Sequence, residues 1–178
     1  MLVMMGRSTL LTQRIYTEQR CIPSPHDPFY FSHRTSGIPP SYFSYNITSW
    51  ELNGLKNDVG LPLVNAKSMS VGRVPLFLEG PTRYLKTVTG DSDAVSSMYD
   101  KVKVSGLRDE ELKMYYVSAS LEGQSYDMGR MMAFTPGWLE NQSIWSHMSY
   151  KYYLELLRGK LYDTFYSEMR GGGKFIAK

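Results

Sequence analysis

Cysteine occurs once in this chain, at Cys21, and histidine three times, at His26, His33 and His147. One thiol cannot close an internal disulfide, so a reducing, cytoplasmic setting is expected. The histidines show no HxxxH or similar spacing, so no metal site is expected. A dominant charge is missing too. Lys and Arg total 20 against 17 Asp and Glu, a net +3 that is scattered along the chain. A dedicated nucleic-acid binder would carry a clustered basic face, so no nucleic-acid partner is expected. No apolar run approaches the ~20 residues of a membrane span, so no membrane partner is expected either. The apolar start MLVMM stops at Gly6 and Arg7, which is too short for the apolar region of a signal peptide. The run Gly171-Gly172-Gly173-Lys174 lacks the first-glycine spacing and the Ser or Thr of a phosphate-binding P-loop.

What remains is a chain of 178 residues, 42% hydrophobic and 21% charged, enough for one domain with its own core. Its aromatics are mostly tyrosine, 14 against 7 Phe and 3 Trp. Tyrosine joins an apolar ring to a polar tip, which suits sugar clefts, protein interfaces and base stacking alike. The sequons Asn46-Ile47-Thr48 and Asn141-Gln142-Ser143, without a secretion signal, read as coincidence.

Residues 1–20 have no clear period and read as an irregular leader or partial helix. Residues 21–49 hold Pro23, Pro25, Pro28, Pro39 and Pro40. Proline removes donors and fixes φ, so a surface-hugging loop is expected there, with Tyr42, Phe43 and Tyr45 pinning it or lining a cleft. Residues 50–73, with Gly54, Asn57, Asp58, Gly60 and Pro62, read as turns around short apolar pieces. Pro81 suits a helix start. Asp91, Ser92 or Asp93 can cap a helix over 94–104, whose Val95, Met98, Tyr99 and Val102 form an i, i+3, i+4, i+7 stripe. Residues 114–120, MYYVSAS, are the best strand-like run, and 121–141 read as loop. The strongest period predicts a helix over 143–157, with Trp145, Met148, Tyr152 and Leu156 on one face. Leu161, Phe165 and Met169 then continue on a second helix after Arg158-Gly159-Lys160, which makes an αα-hairpin.

Chemistry concentrates just before that hairpin. Trp138, Glu140 and Asn141 lie within four residues, with Arg130 upstream and His147 downstream. A sugar presents hydroxyls around a ring with apolar faces. Its site needs carboxylate and amide partners beside an aromatic platform. A plainer reading is open: Asn141 as helix N-cap, Glu140 as a charge favouring the helix dipole, and His147 as an ordinary surface histidine. Glu122 in SLEGQ and Glu79 in FLEGP precede glycines and read as turn carboxylates. Arg73, Arg83 and Arg130 have the guanidinium geometry for phosphate but are spread along the chain.

Four blocks in order, SGIPPSYFSYNITSWEL, GRVPLFLEGPTRYLK, KMYYVSASLEGQSYDMGR and RMMAFTPGWLENQSIWSHMSYKYYLELLRGKLYDTFY, resemble the cellobiose-phosphorylase-like proteins. The resemblance implies a mainly α fold: part of an (α/α)6-barrel catalytic domain over 36–170, with long loops and a C-terminal αα-hairpin. An irregular leader and proline-rich loop would occupy 1–35 and a glycine-rich tail 171–178. It implies phosphorolysis of β-glucosides to a sugar 1-phosphate. An oligosaccharide would be the substrate, inorganic phosphate the co-substrate, and no cofactor would be needed. In such an inverting reaction phosphate replaces the base-activated water, so one general acid suffices. Glu140, Asn141 and His147 match a sugar-lining Glu-Asn…His segment, with Trp138, Arg130 and Glu122 as further contacts. The family's general acid lies in Gly-Asp-Trp-Asn-Asp. In this chain Trp50, Trp138 and Trp145 follow Ser49, Gly137 and Ile144, so the acid is expected outside it and the chain alone is expected to be inactive. A partial barrel also exposes helix faces, which predicts homo-oligomers. A non-catalytic carbohydrate-binding or protein-interaction module is the alternative.

Overall fold

The computed structural model describes residues 2–3, 10–11 and 37–173. The expected prolines at 23, 25 and 28, the thiol of Cys21, His26, His33 and the end of the tail lie outside the described residues. With 39% helix, 27% strand and two antiparallel sheets, the fold is a small mixed α and β architecture. This overturns the mainly α partial (α/α)6 barrel.

The correction comes largely from residues 43–73. Two long strands, β3 (Phe43–Lys56) and β4 (Pro62–Arg73), form an antiparallel ribbon where a loop and turns were expected. Short strands extend it on both sides. β1 (Leu2–Val3) pairs with β4 and β2 (Leu10–Leu11) with β3, giving the order β1-β4-β3-β2. The residues suit this: Phe43, Tyr45 and Ile47 alternate with polar neighbours, then Trp50 and Leu52 do so out of phase. The phase break falls where the ladder is irregular. Ile47 faces Met69 and Trp50 faces Ala66. Between them the Thr48 and Ser49 hydroxyls both meet Ser68 Oγ, at 2.6 and 2.7 Å. At the tip, Asn57 Oδ1 accepts from the Val59 and Leu61 amides, an Asx-type turn that reverses the chain.

The remaining elements surround a separate core. They are α1 (Glu79–Thr87), α2 (Ser92–Lys103), β5 (Arg108–Asp109), β6 (Met114–Tyr115), α3 (Ser146–Arg158) and α4 (Tyr162–Gly173). Asp91 caps α2 through the Ala94 amide, and Val95, Met98, Tyr99 and Val102 are all buried, as the stripe requires. They meet Leu78, Leu85, Leu107, Tyr115, Tyr152, Tyr153 and Leu156 in one cluster. Each such side chain contributes roughly 1.5–3 kcal/mol on leaving water. Leu161, Phe165 and Met169 pack against the same cluster, so the C-terminal pair of helices forms where its periodicity places it. α4 runs on to Gly173, so the first glycines of the expected tail are its last turn. The strand-like run 114–120 is the central extended segment. β6 pairs with β5, Tyr116 bridges Ile144, and Ser118 bridges Phe77.

A polar cluster is sealed beside this core. Arg108, 6% exposed, pairs with Glu168, 4% exposed, at 3.1 Å. Tyr99 donates its hydroxyl to the same carboxylate at 2.7 Å. Burial first, and then that carboxylate, push the Tyr99 phenol well above its ordinary range. Burial likewise raises Tyr115 and Tyr152, whose rings lie 4.8 Å apart. Among the described residues no helix is long and apolar enough to cross a membrane.

Candidate functional site

The segment expected to carry the site is a loop packed against the central extended segment. A 3-10 stretch, Tyr126–Ala133, leads into it, kinked at Gly129. Two consecutive turns that share Trp138 follow. The Trp138 amide donates to Thr135 O at 3.0 Å and the Asn141 amide to Trp138 O at 3.1 Å. The Gly137 amide, at a φ of 89° that suits glycine, closes the outer loop on Asn141 O at 2.7 Å. Helix α3 begins only at Ser146, with Trp145 at its N-cap position. Asn141 is therefore not a helix cap and Glu140 does not sit on the helix dipole. Both belong to the loop.

Within the loop the expected residues separate into two groups. Arg130, Trp138, Glu140 and Asn141 come together. Arg130 donates to Glu140 Oε1 at 3.0 Å, with the guanidinium largely in solvent and the carboxylate 20% exposed. Glu140 Oε2 is buried with no donor. Asn141 is 7% exposed. Its Nδ2 donates to Phe134 O at 2.7 Å, which fixes the amide's orientation and leaves Oδ1 buried without a partner. Two adjacent side chains thus each hold an unused acceptor in a place shielded from water, where an unpaired polar atom costs about 1–3 kcal/mol. Trp138 leaves 56% of its surface in solvent. Its ring is steadied by the edge of Phe134 at 5.1 Å and 65°.

His147 and Glu122 form the second group. His147 lies on the exposed first turn of α3, stacked on Trp145 at 5.5 Å. Glu122 sits on an exposed turn, its amide held by Ser120 Oγ at 3.2 Å. Neither makes a hydrogen bond or ion pair with the Arg130–Glu140–Asn141 group. Arg83 pairs with Glu79 on α1, so it does not converge on the loop either.

Ser118 was not among the expected site residues, and Phe134 was expected only as the first residue of a sugar-facing segment 134–147 at the mouth of the hairpin. Ser118 is fully buried and donates to Glu140 O at 2.6 Å while accepting from the Gln142 amide at 3.2 Å. Its signal in the sequence is slight: a small hydroxyl inside the apolar run MYYVSAS. Phe134 contributes a backbone carbonyl, which no side-chain pattern reveals. The loop also bears strain. Leu139 and Gln142 have φ of 46° and 48°, left-handed values that cost a side-chain-bearing residue about 1–2 kcal/mol each. They bracket Glu140 and Asn141, the residues with unused acceptors.

Chemically the loop offers acceptors, a ring face and a neutralised ion pair. It does not offer a nucleophile beside a base. Among the described residues no group of three or more His, Cys, Asp or Glu is arranged to hold a metal ion. Comparison of the chain with protein-family models, curated proteins and solved structures gives no match to any of them.

Proposed function

We propose that this chain contributes carbohydrate contacts to a carbohydrate-active protein, with the loop 134–142 as the contact surface. The observation that carries the reading is one turn that holds an exposed, steadied Trp138 ring next to two buried, unpaired acceptors, Glu140 Oε2 and Asn141 Oδ1. A sugar supplies apolar C–H faces for the exposed ring and, once the loop opens to expose them, hydroxyl donors for the acceptors. Arg130 is already paired with Glu140, so the loop as it stands favours a neutral polyol over free inorganic phosphate. The four sequence blocks support a β-glucoside as the sugar and a cytoplasmic, glycoside-phosphorylase-like setting. The barrel they implied is not the fold, so the proposal rests on the loop. The chain's part is to hold substrate, since the sequence contains no Asp-Trp pair to supply the acid of that family.

The test is a titration of intrinsic fluorescence with cellobiose and longer cello-oligosaccharides. Saturable binding in the micromolar to millimolar range is expected, abolished by Trp138→Ala and weakened by Glu140→Gln. The chain alone should release no glucose 1-phosphate from cellobiose and phosphate. Failure of every cello-oligosaccharide to bind refutes the reading.

A further inference from the structure

We infer that Ser118 is the positioning residue of this loop: its hydroxyl latches residues 139–142 in the strained conformation that carries Trp138, Glu140 and Asn141. The inference rests on the carbohydrate-contact reading for its consequence, and on geometry for its mechanism.

A backbone with two left-handed non-glycine residues three positions apart relaxes unless its surroundings fix it. Leu139 and Gln142 are those residues, so whatever fixes them must act between or upon them. The Ser118 side chain does so. Its Oγ donates to the carbonyl of Glu140 and accepts the amide of Gln142, spanning Asn141 from both sides. One hydroxyl has one donor and two acceptor sites, so it can serve both groups at once. A second contact acts from within the loop, where the Ser143 hydroxyl donates to Leu139 O. Ser118 itself cannot yield. It is fully buried, its backbone is bridged to Phe77, and its neighbours are stitched to the same side: the Val117 amide donates to Ser143 O at 2.7 Å, and Tyr116 bridges Ile144. The latch is therefore mounted on the central extended segment and closed on the loop.

The consequence concerns binding. With the latch in place, the strained backbone holds the exposed Trp138 ring in a fixed position for a ligand to stack on. With the latch removed, residues 139–142 can relax to ordinary φ values and the two acceptors can turn to water. The binding surface would then be present in sequence but no longer preorganised.

The experiment compares wild type, Ser118→Ala and Ser118→Thr in the full chain by amide hydrogen exchange and by cellobiose titration. In Ser118→Ala the Gln142 amide should exchange about tenfold faster, as expected for loss of its buried acceptor. The Val117 amide, which donates to Ser143 O, should stay within about twofold. Cellobiose affinity should fall about tenfold or more. Ser118→Thr keeps the hydroxyl and should restore slow exchange at Gln142. Unchanged Gln142 exchange in Ser118→Ala overturns the latch, whatever happens to binding. Faster exchange with unchanged cellobiose affinity overturns its role in binding. If wild type itself binds no cello-oligosaccharide, the proposed function fails, while the exchange result still decides whether Ser118 holds the loop.

Discussion

Replacing Glu168 by Gln should destabilise the protein by about 3 kcal/mol, and the reason can be read from three contacts. The Glu168 carboxylate accepts from Tyr99 Oη at 2.7 Å and from Arg108 Nη2 at 3.1 and 3.4 Å. Both charged groups are almost wholly buried. Removing one partner of a buried pair leaves the other charge without compensation in a poorly solvated place, which costs about 3–5 kcal/mol. Arg108 keeps a second partner, the exposed carboxylate of Glu110 at 2.6 Å, so the lower end of that range applies. For a chain of this size about 3 kcal/mol lowers Tm by roughly 6–12 °C. Urea denaturation followed by circular dichroism should show a lower midpoint with an unchanged slope. The double variant Arg108→Met/Glu168→Leu removes both charges and should recover part of the loss, because an apolar pair does not pay the desolvation cost while the Tyr99 hydroxyl still loses its acceptor. A Glu168→Gln protein within about 1 kcal/mol of wild type, or a double variant less stable than the single one, would refute the reasoning.

Stability should also fall above about pH 10. The Tyr99, Tyr115, Tyr152 and Tyr153 phenols are pushed upward by burial, Tyr153 to about 12. A phenol that ionises later in the folded state than its ordinary 10.0 gives stability that is intact below that value and is lost as pH rises beyond it. Chemical denaturation between pH 8 and 11 checks the sign. At the acid end the Asp109 carboxyl is held below its ordinary 3.8 by the Leu112 amide and the Tyr116 hydroxyl. Its contribution is present above that pH and lost as pH falls through the lower native value, and Asp109→Asn should flatten this limb. Gly159→Ala should cost about 1–3 kcal/mol, since the new Cβ would meet Val95 Cγ1 at 2.6 Å. Trimming Val95 to Ala in the same chain should offset part of that loss, measurable as a double-mutant cycle. Leu139→Gly should raise stability or leave it unchanged, because glycine adopts φ near 46° freely, while loosening the loop and weakening cellobiose binding.

The helical half of the fold was readable because its signals are local. Asp91 caps, four apolar residues at helical spacing bury, and Gly159 ends α3, each decided within one or two turns. The ribbon was not readable in the same way. Its Gly54, Gly60 and Pro62 look like breaks, and its alternation changes phase at Thr48–Ser49, where the ladder is irregular. Pairing across up to 30 residues, Phe43 with Arg73, has no signature within either strand. At the loop, Trp138, Glu140 and Asn141 stand together by residue type within four positions, and Arg130 joins them through a side chain long enough to reach. His147 was displaced because α3 starts later than its period suggested, which moved Asn141 off the helix and left the histidine on an exposed turn. Ser118 escaped because a serine in a strand-like run has no chemistry until the backbone it holds is seen. The resemblance supplied order and residue types but also a barrel that the chain does not form.

The central claim is that the loop 134–142 holds a sugar through Trp138, Glu140 and Asn141. Isothermal titration of the full chain with cellohexaose, alongside Trp138→Ala and Glu140→Gln, tests it most directly. The account predicts saturable binding to wild type, at least tenfold weaker binding to Glu140→Gln, and none to Trp138→Ala, with all three proteins equally folded by circular dichroism. No binding to wild type, or equal binding to all three, would contradict it.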